Sequence, residues 1–230
     1  MFLLLLLLLL PACNTPPTPT PTPTPDPAAI LRQAGEAMQG LQSVHFVITR
    51  TGGPAYLDEA QQLLFSAAEG DYAGPDAIQA RLTVQGPGLT VVMNTIAVGD
   101  RQWVTNPLTQ RWEKLPEGFG FNPAVLFDPE LGWRPLLNED VSNLTPVDEV
   151  ELNGQGALKI GATAAGERVR AITAGIVGDQ PVNLEVWLDP TTFYVLQLQF
   201  TTATPTGEAA DWLLTFSAFN EPVNIEAPET

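Results

Sequence analysis

A single thiol, a single imidazole and a surplus of carboxylates make up most of the reactive chemistry in this 230-residue chain. The thiol is Cys13, directly behind an unbroken leucine run, Leu3 to Leu10, and directly ahead of a proline-threonine tract from Thr15 to Pro27. A cysteine in that setting is a point of covalent attachment: the run before it has the make-up of an export signal, and the tract after it that of a tether. The imidazole is His45, between Val44 and Phe46. Strand parity sends it to the face opposite Phe46, as a solvent-facing histidine rather than a catalytic base. Nucleophile-elbow, HExxH, P-loop and dinucleotide glycine motifs do not occur, and neither do metal-binding cysteine pairs or histidine clusters. A carboxylate pair of the glycosidase kind stays open, because the chain holds 26 acidic residues. Acidic residues at that density mostly solvate a surface, so the reading is a non-enzyme that needs no cofactor.

Set against 10 basic residues, those acids give a net charge of -16. Phosphate backbones call for a clustered positive field, so nucleic acid is excluded as a partner, and so is electrostatic docking on anionic lipid. The leucine run is too short to span a bilayer, which takes roughly 20 apolar residues, and reads as a cleaved signal peptide over 1–12. Leu10-Pro11-Ala12-Cys13 resembles the bacterial lipobox, in which the thiol is acylated, with palmitate or a similar chain, and the cysteine becomes the new N-terminus. At about 0.8 kcal/mol per buried methylene, one acyl chain holds weakly and two hold nearly permanently. Residues 13–27 then form the lipidated cysteine and a polyproline II tether reaching on the order of 40 Å. The expected location is the extracytoplasmic face of the cell membrane, lipid-anchored. Residues 28–230 remain as one domain, held by packing because no second cysteine exists for a disulfide.

That domain opens with one amphipathic helix, Ala28 to Gln42, whose Ile30, Ala34, Met38 and Leu41 recur at helical spacing. The period then changes to two. Val44, Phe46 and Ile48 share one face, and Ile78, Ala80, Leu82 and Val84 alternate with polar neighbours. Further strands are expected at 61–68, 89–98, 102–105, 111–115, 147–152, 157–162, 182–188, 194–202 and 210–219, separated by short turn signals such as Asn153-Gly154 and Asp189-Pro190. Consecutive hairpins make an antiparallel meander, and a sheet this long must curve and needs a cover for its apolar face. Two interruptions supply the cover. Residues 118–138 contain Asn122-Pro123 and Asp128-Pro129, read as successive helix starts, and residues 166–177 carry Val169, Ile172, Ile176 and Val177 at helical spacing.

These segments resemble the LppX/LprAFG cell-envelope lipoproteins, which share the fold of the LolA and LolB lipoprotein carriers. The resemblance rests on the leader cysteine, on Leu41-Gln42-Ser43-Val44-His45-Phe46 and on Val98-Gly99-Asp100-Arg101-Gln102-Trp103-Val104. It continues through Phe121 to Pro129, Leu152-Asn153-Gly154-Gln155 and Val186-Trp187-Leu188-Asp189. It implies an α+β fold in which a strongly curved antiparallel β-sheet, an incomplete barrel, wraps helices on its concave face. It also implies an apolar cavity for the acyl chains of an envelope lipid or glycolipid, which the protein transfers or presents, with an envelope transporter or acceptor protein as its partner.

Strand parity then nominates the wall of such a cavity: Phe46, Ile48, Leu82, Val84, Leu184, Val186, Leu196 and Leu198, with Leu126, Phe127, Val169 and Ile172 from the helical layer. Alternation locates an inner face, not an empty space, so each of these is also a candidate for ordinary closed core. Arg168 and Arg170 either meet a polar headgroup or solvate a helix face. Trp133, between Gly132 and Arg134, is expected near the cavity mouth. The competing function is an interaction or sensor module of the same fold with a closed core. A hydrolase would need a polar cleft with converging acidic residues.

Overall fold

The computed structural model describes residues 25–57, 61–86, 88–116, 123–173, 175–204 and 207–229. Cys13 and most of the expected tether lie outside them. Helix α1, Pro27–Gln39, starts where the Asp26 carboxylate accepts the N–H of Ala28 at 3.0 Å and Pro27 takes the first helical position. Pro27 thus opens the helix instead of closing the tether. Ile30, Leu31, Ala34 and Met38 form its buried stripe.

Six strands follow as a meander: β1 Ser43–Gly52, β2 Leu64–Ala73, β3 Ala77–Gly86, β4 Leu89–Val98, β5 Arg101–Thr105 and β6 Trp112–Lys114. After a 3-10 turn, Pro123–Phe127, and helix α2, Trp133–Asn138, come β7 Val141–Ser142, β8 Asp148–Leu152 and β9 Gln155–Ala164. Helix α3, Gly166–Ile172, precedes β10 Val182–Leu188, β11 Val195–Ala203 and β12 Ala209–Ser217. All pair antiparallel in one sheet, in the order β6-β5-β4-β3-β2-β1-β12-β11-β10-β9-β7, with β8 also on β9. The first strand pairs with the last, from His45 opposite Ser217 to Gly52 opposite Ala210, and this joins two meanders into one curved sheet. The sheet does not close, because β6 and β7 are edges. The α+β incomplete barrel is the observed fold.

Differences from the expected elements have local causes. β2 runs to Ala73 rather than ending at Ala68, because Glu69 and Asp71 face outward while Gly70 and Tyr72 stay buried. Asp128-Pro129 makes a turn, not a helix start. The Asp128 carboxylate accepts the N–H groups of Glu130 and Leu131 at 2.8 and 2.9 Å, and α2 begins only at Trp133. Gly132 must stand at that turn, since a Cβ would sit 2.1 Å from the Leu126 carbonyl oxygen. α3 ends at Ile172, before Ile176 and Val177, because the Thr173 hydroxyl bonds back to the Val169 carbonyl at 2.8 Å.

Candidate functional site: an apolar cavity at one end of the sheet

Pairing register sorts the inward-facing residues into tiers. The lowest, Val44, Tyr72, Ile78 and Ala97 across β1 to β4, is buried and filled, as are Leu188 and Val195 on the other meander. Helix α1 closes this end: the Val195 N–H points at the Met38 sulfur, 3.3 Å away. The tier above holds Phe46, Gly70, Ala80 and Thr95, and the next holds Ile48, Ala68, Leu82 and Met93. Alanine and glycine project little or nothing from the sheet, so space opens beyond the end packed by α1, where the inward side chains shrink. Gly70 has no room for more, since a Cβ there would lie 2.1 Å from the Gln79 carbonyl oxygen. The upper tiers continue through Leu214 and Leu198, then Trp212, Phe200 and Leu184.

The result is a cavity of about 480 Å³. Trp133, Leu136 and Leu126 form one wall with the inner sheet face opposite. Val169, Ile172, Ile176 and Val177 roof it, and Leu57 and Leu63 from the β1–β2 connection stand at its end. Among the described lining residues, Thr95, Gln102 and Thr173 carry the polar aliphatic side chains and none is charged. A much smaller cavity of about 150 Å³ lined this way already stays dry and takes an apolar guest, and sites enclosing small molecules run to roughly 300–1,000 Å³. The wall offers shape and hydrocarbon. Converging acidic residues, which hydrolysis would require, are not on the described wall.

From α1 to the segment after β12 this is a recognised architecture. The model of the LppX_LprAFG lipoprotein family matches residues 26–225. The chain belongs to that family. LprF from Mycobacterium bovis is similar in structure with a TM-score of 0.69 and 17% identity, over 90% of this chain and all of that one. LppX from Mycobacterium tuberculosis gives 0.61 and 21%, over 86% and 97%. No curated protein matches.

Within this LppX/LprAFG domain, eight of the twelve nominated residues meet at the cavity: Phe46, Ile48, Leu82, Leu126, Val169, Ile172, Leu184 and Leu198. Four do not. Val84 is fully buried off the wall, Val186 is covered in the core, and Phe127 stacks on Tyr72 with ring centroids 3.7 Å apart. Leu196 is displaced by a bulge: Val186 faces Leu198, but Leu188 faces Val195, so Val195 takes the inward place. Unnominated wall residues Phe65, Phe200, Trp212 and Leu214 lie on strands whose parity was readable. Phe200 and Phe65 each stack on Trp212 at 5.7 Å. Trp133 is fully buried against Phe216, edge to face at 5.4 Å, and belongs to the cavity's inner wall rather than its mouth.

Two arginines are tied into the fold through buried or half-buried hydrogen bonds. Arg168 lies off the described cavity wall and is held within the fold. Its Nε donates to Asp140 Oδ2 at 2.6 Å and its Nη1 to the Glu130 and Leu131 carbonyls at 3.0 and 3.1 Å, strapping α3 to the turn before α2. Arg50 is buried between the strands bearing Phe65 and Trp212, and burial lowers its pKa. Its Nε donates to the Phe65 carbonyl at 2.8 Å and its Nη1 to that of Gly53. His45 lies half-buried on the outer face, with Nδ1 2.8 Å from Asp71 Oδ1. Burial, with Asp76 nearby, raises the Tyr72 hydroxyl above its ordinary range, and that hydroxyl donates to the Pro75 carbonyl at 2.9 Å. No three described His, Cys, Asp or Glu side chains gather as a metal site, and no described helix is long and apolar enough to cross a membrane.

Proposed function

We propose that this protein is an extracytoplasmic lipoprotein, anchored to the cell membrane through acylated Cys13, that takes up an acyl lipid or glycolipid and transfers or presents it within the envelope. The observation that carries the reading is the 480 Å³ cavity, whose described wall is almost wholly hydrocarbon and has no charged side chain. An acyl chain drawn from a bilayer into water loses about 0.8 kcal/mol per exposed methylene, so unassisted transfer of a whole chain is blocked. A hydrocarbon-lined cavity removes most of that barrier without binding tightly. Loading and release stay near balance, as a carrier requires, and no catalytic group is needed. Family membership supports the lipoprotein part of the reading.

The test is exchange of a fluorescent acyl lipid between donor and acceptor phosphatidylcholine vesicles. Substoichiometric protein should speed exchange, and Leu184→Trp or Leu198→Trp, which push an indole into the cavity, should abolish the acceleration. Uptake without exchange would favour presentation over transfer. A domain that takes up no lipid would return the reading to an interaction or sensor module.

A further inference from the structure

We infer that the cavity's open end is a bilayer-docking rim, in which the tips of the first meander insert among neutral lipids so that cargo passes without crossing water. In an antiparallel sheet alternate connections lie at the same end. Register places the β1–β2 connection, the β3–β4 turn, the β5–β6 hairpin tip and the segment after α3 toward one end, opposite the helix-packed tier. Six large apolar side chains are exposed among the described residues, and four of them belong to this end: Tyr56 at 36%, Leu57 at 37%, Leu89 at 54% and Leu108 at 88%. Leu57 is both exposed and part of the cavity wall, so the exposed patch is continuous with the interior.

Apolar side chains held on turn tips at a cavity mouth match the way interfacial segments sink into the headgroup–acyl boundary. The net charge of -16 opposes anionic surfaces and leaves neutral lipid as the surface the rim can approach. The chain ahead of α1 allows the approach. Asp26 lies thirteen residues after Cys13, and a chain of that length can span at most about 45 Å against the roughly 33 Å of a ten-residue strand, so the length does not prevent either end of the sheet from touching the membrane holding the anchor. The inference rests on the carriage reading for what passes through the rim.

The experiment uses the full chain with its lipid anchor on phosphatidylcholine vesicles, carrying an environment-sensitive nitrobenzoxadiazole label at Leu108→Cys or Leu89→Cys. Thr191→Cys, on the β10–β11 turn at the opposite end, is the control. Emission should shift to the blue at positions 108 and 89 and keep its aqueous value at 191. Aqueous emission at all three positions overturns the inference, as does shielding that appears without vesicles and grows with protein concentration, which would assign the rim to a second copy. Adding Leu184→Trp separates the two readings. If carriage is wrong but docking is right, lipid exchange fails in the parent chain while the blue shift survives in both.

Discussion

Arg168 ties the cavity's roof to the segments on either side of α2. Its guanidinium reaches one carboxylate and two carbonyls at once, a fork that an ammonium cannot reproduce. Hydrogen bonds to charged groups contribute about 1.5–3 kcal/mol each, and bonds made by one side chain do not add independently. Arg168→Ala should therefore lower unfolding stability by about 2 kcal/mol, with Arg168→Lys recovering less than half, and amide exchange in α3 should quicken in both; denaturant melts and hydrogen exchange check this. Asp189 governs a different response. Burial pushes its carboxyl up, but the N–H groups of Thr192 and Thr191 and the Thr192 hydroxyl outweigh that, and the carboxyl sits below its ordinary value. A lowered folded-state value stabilises the β10–β11 turn above the ordinary carboxylate range and loses that contribution as pH falls through the lowered value. Melting temperatures between about pH 2 and 5 should fall more steeply in the native chain than in Asp189→Asn.

At the scale of elements, a bulge and a row of small residues decide what the cavity is. Leu196 and Leu198 share nominal parity, yet only Leu198 reaches the wall, because β11 slips one residue against β10 between Val195 and Gln197. Leu198→Trp should block lipid exchange while Leu196→Trp leaves it within about twofold of the native rate, a contrast that ordinary core disruption would not produce. Ala80→Phe should also block exchange, since Ala80 lies in the tier where the sheet leaves space. Alternation made the inner faces of β1, β3, β10 and the upper part of β11 legible in the sequence, along with the meander and the helical character of the two interruptions. Which inward side chains are covered was not legible. Val186 shares its tier with the wall residues Leu198, Leu214 and Ile48, and Val84 lies one step above Leu82, yet both are fully buried off the wall, and strand periodicity does not encode which inward neighbours cover a side chain. Leu57 escaped for another reason: it comes from a connection rather than a periodic strand, whereas Leu63 fell inside the expected strand 61–68 but precedes the observed β2, which starts at Leu64.

For the whole molecule, a filled end sealed by α1 and a hollow end roofed by α3 divide the work between stability and binding. The lower tiers are closely packed and hold the fold without a disulfide. The upper tiers give up packing, so occupancy of the cavity should raise the melting temperature by mass action. The anchor belongs to this scale as well: metabolic labelling with palmitate should mark the native chain and lose its signal in Cys13→Ala. Whether the cavity holds an acyl lipid can be read by native mass spectrometry of residues 26–230 purified from the protein's own host, followed by extraction and lipid analysis. The expected result is a bound acyl lipid that Leu184→Trp removes while the fold persists. A stable native domain that flies only at its bare mass would contradict it.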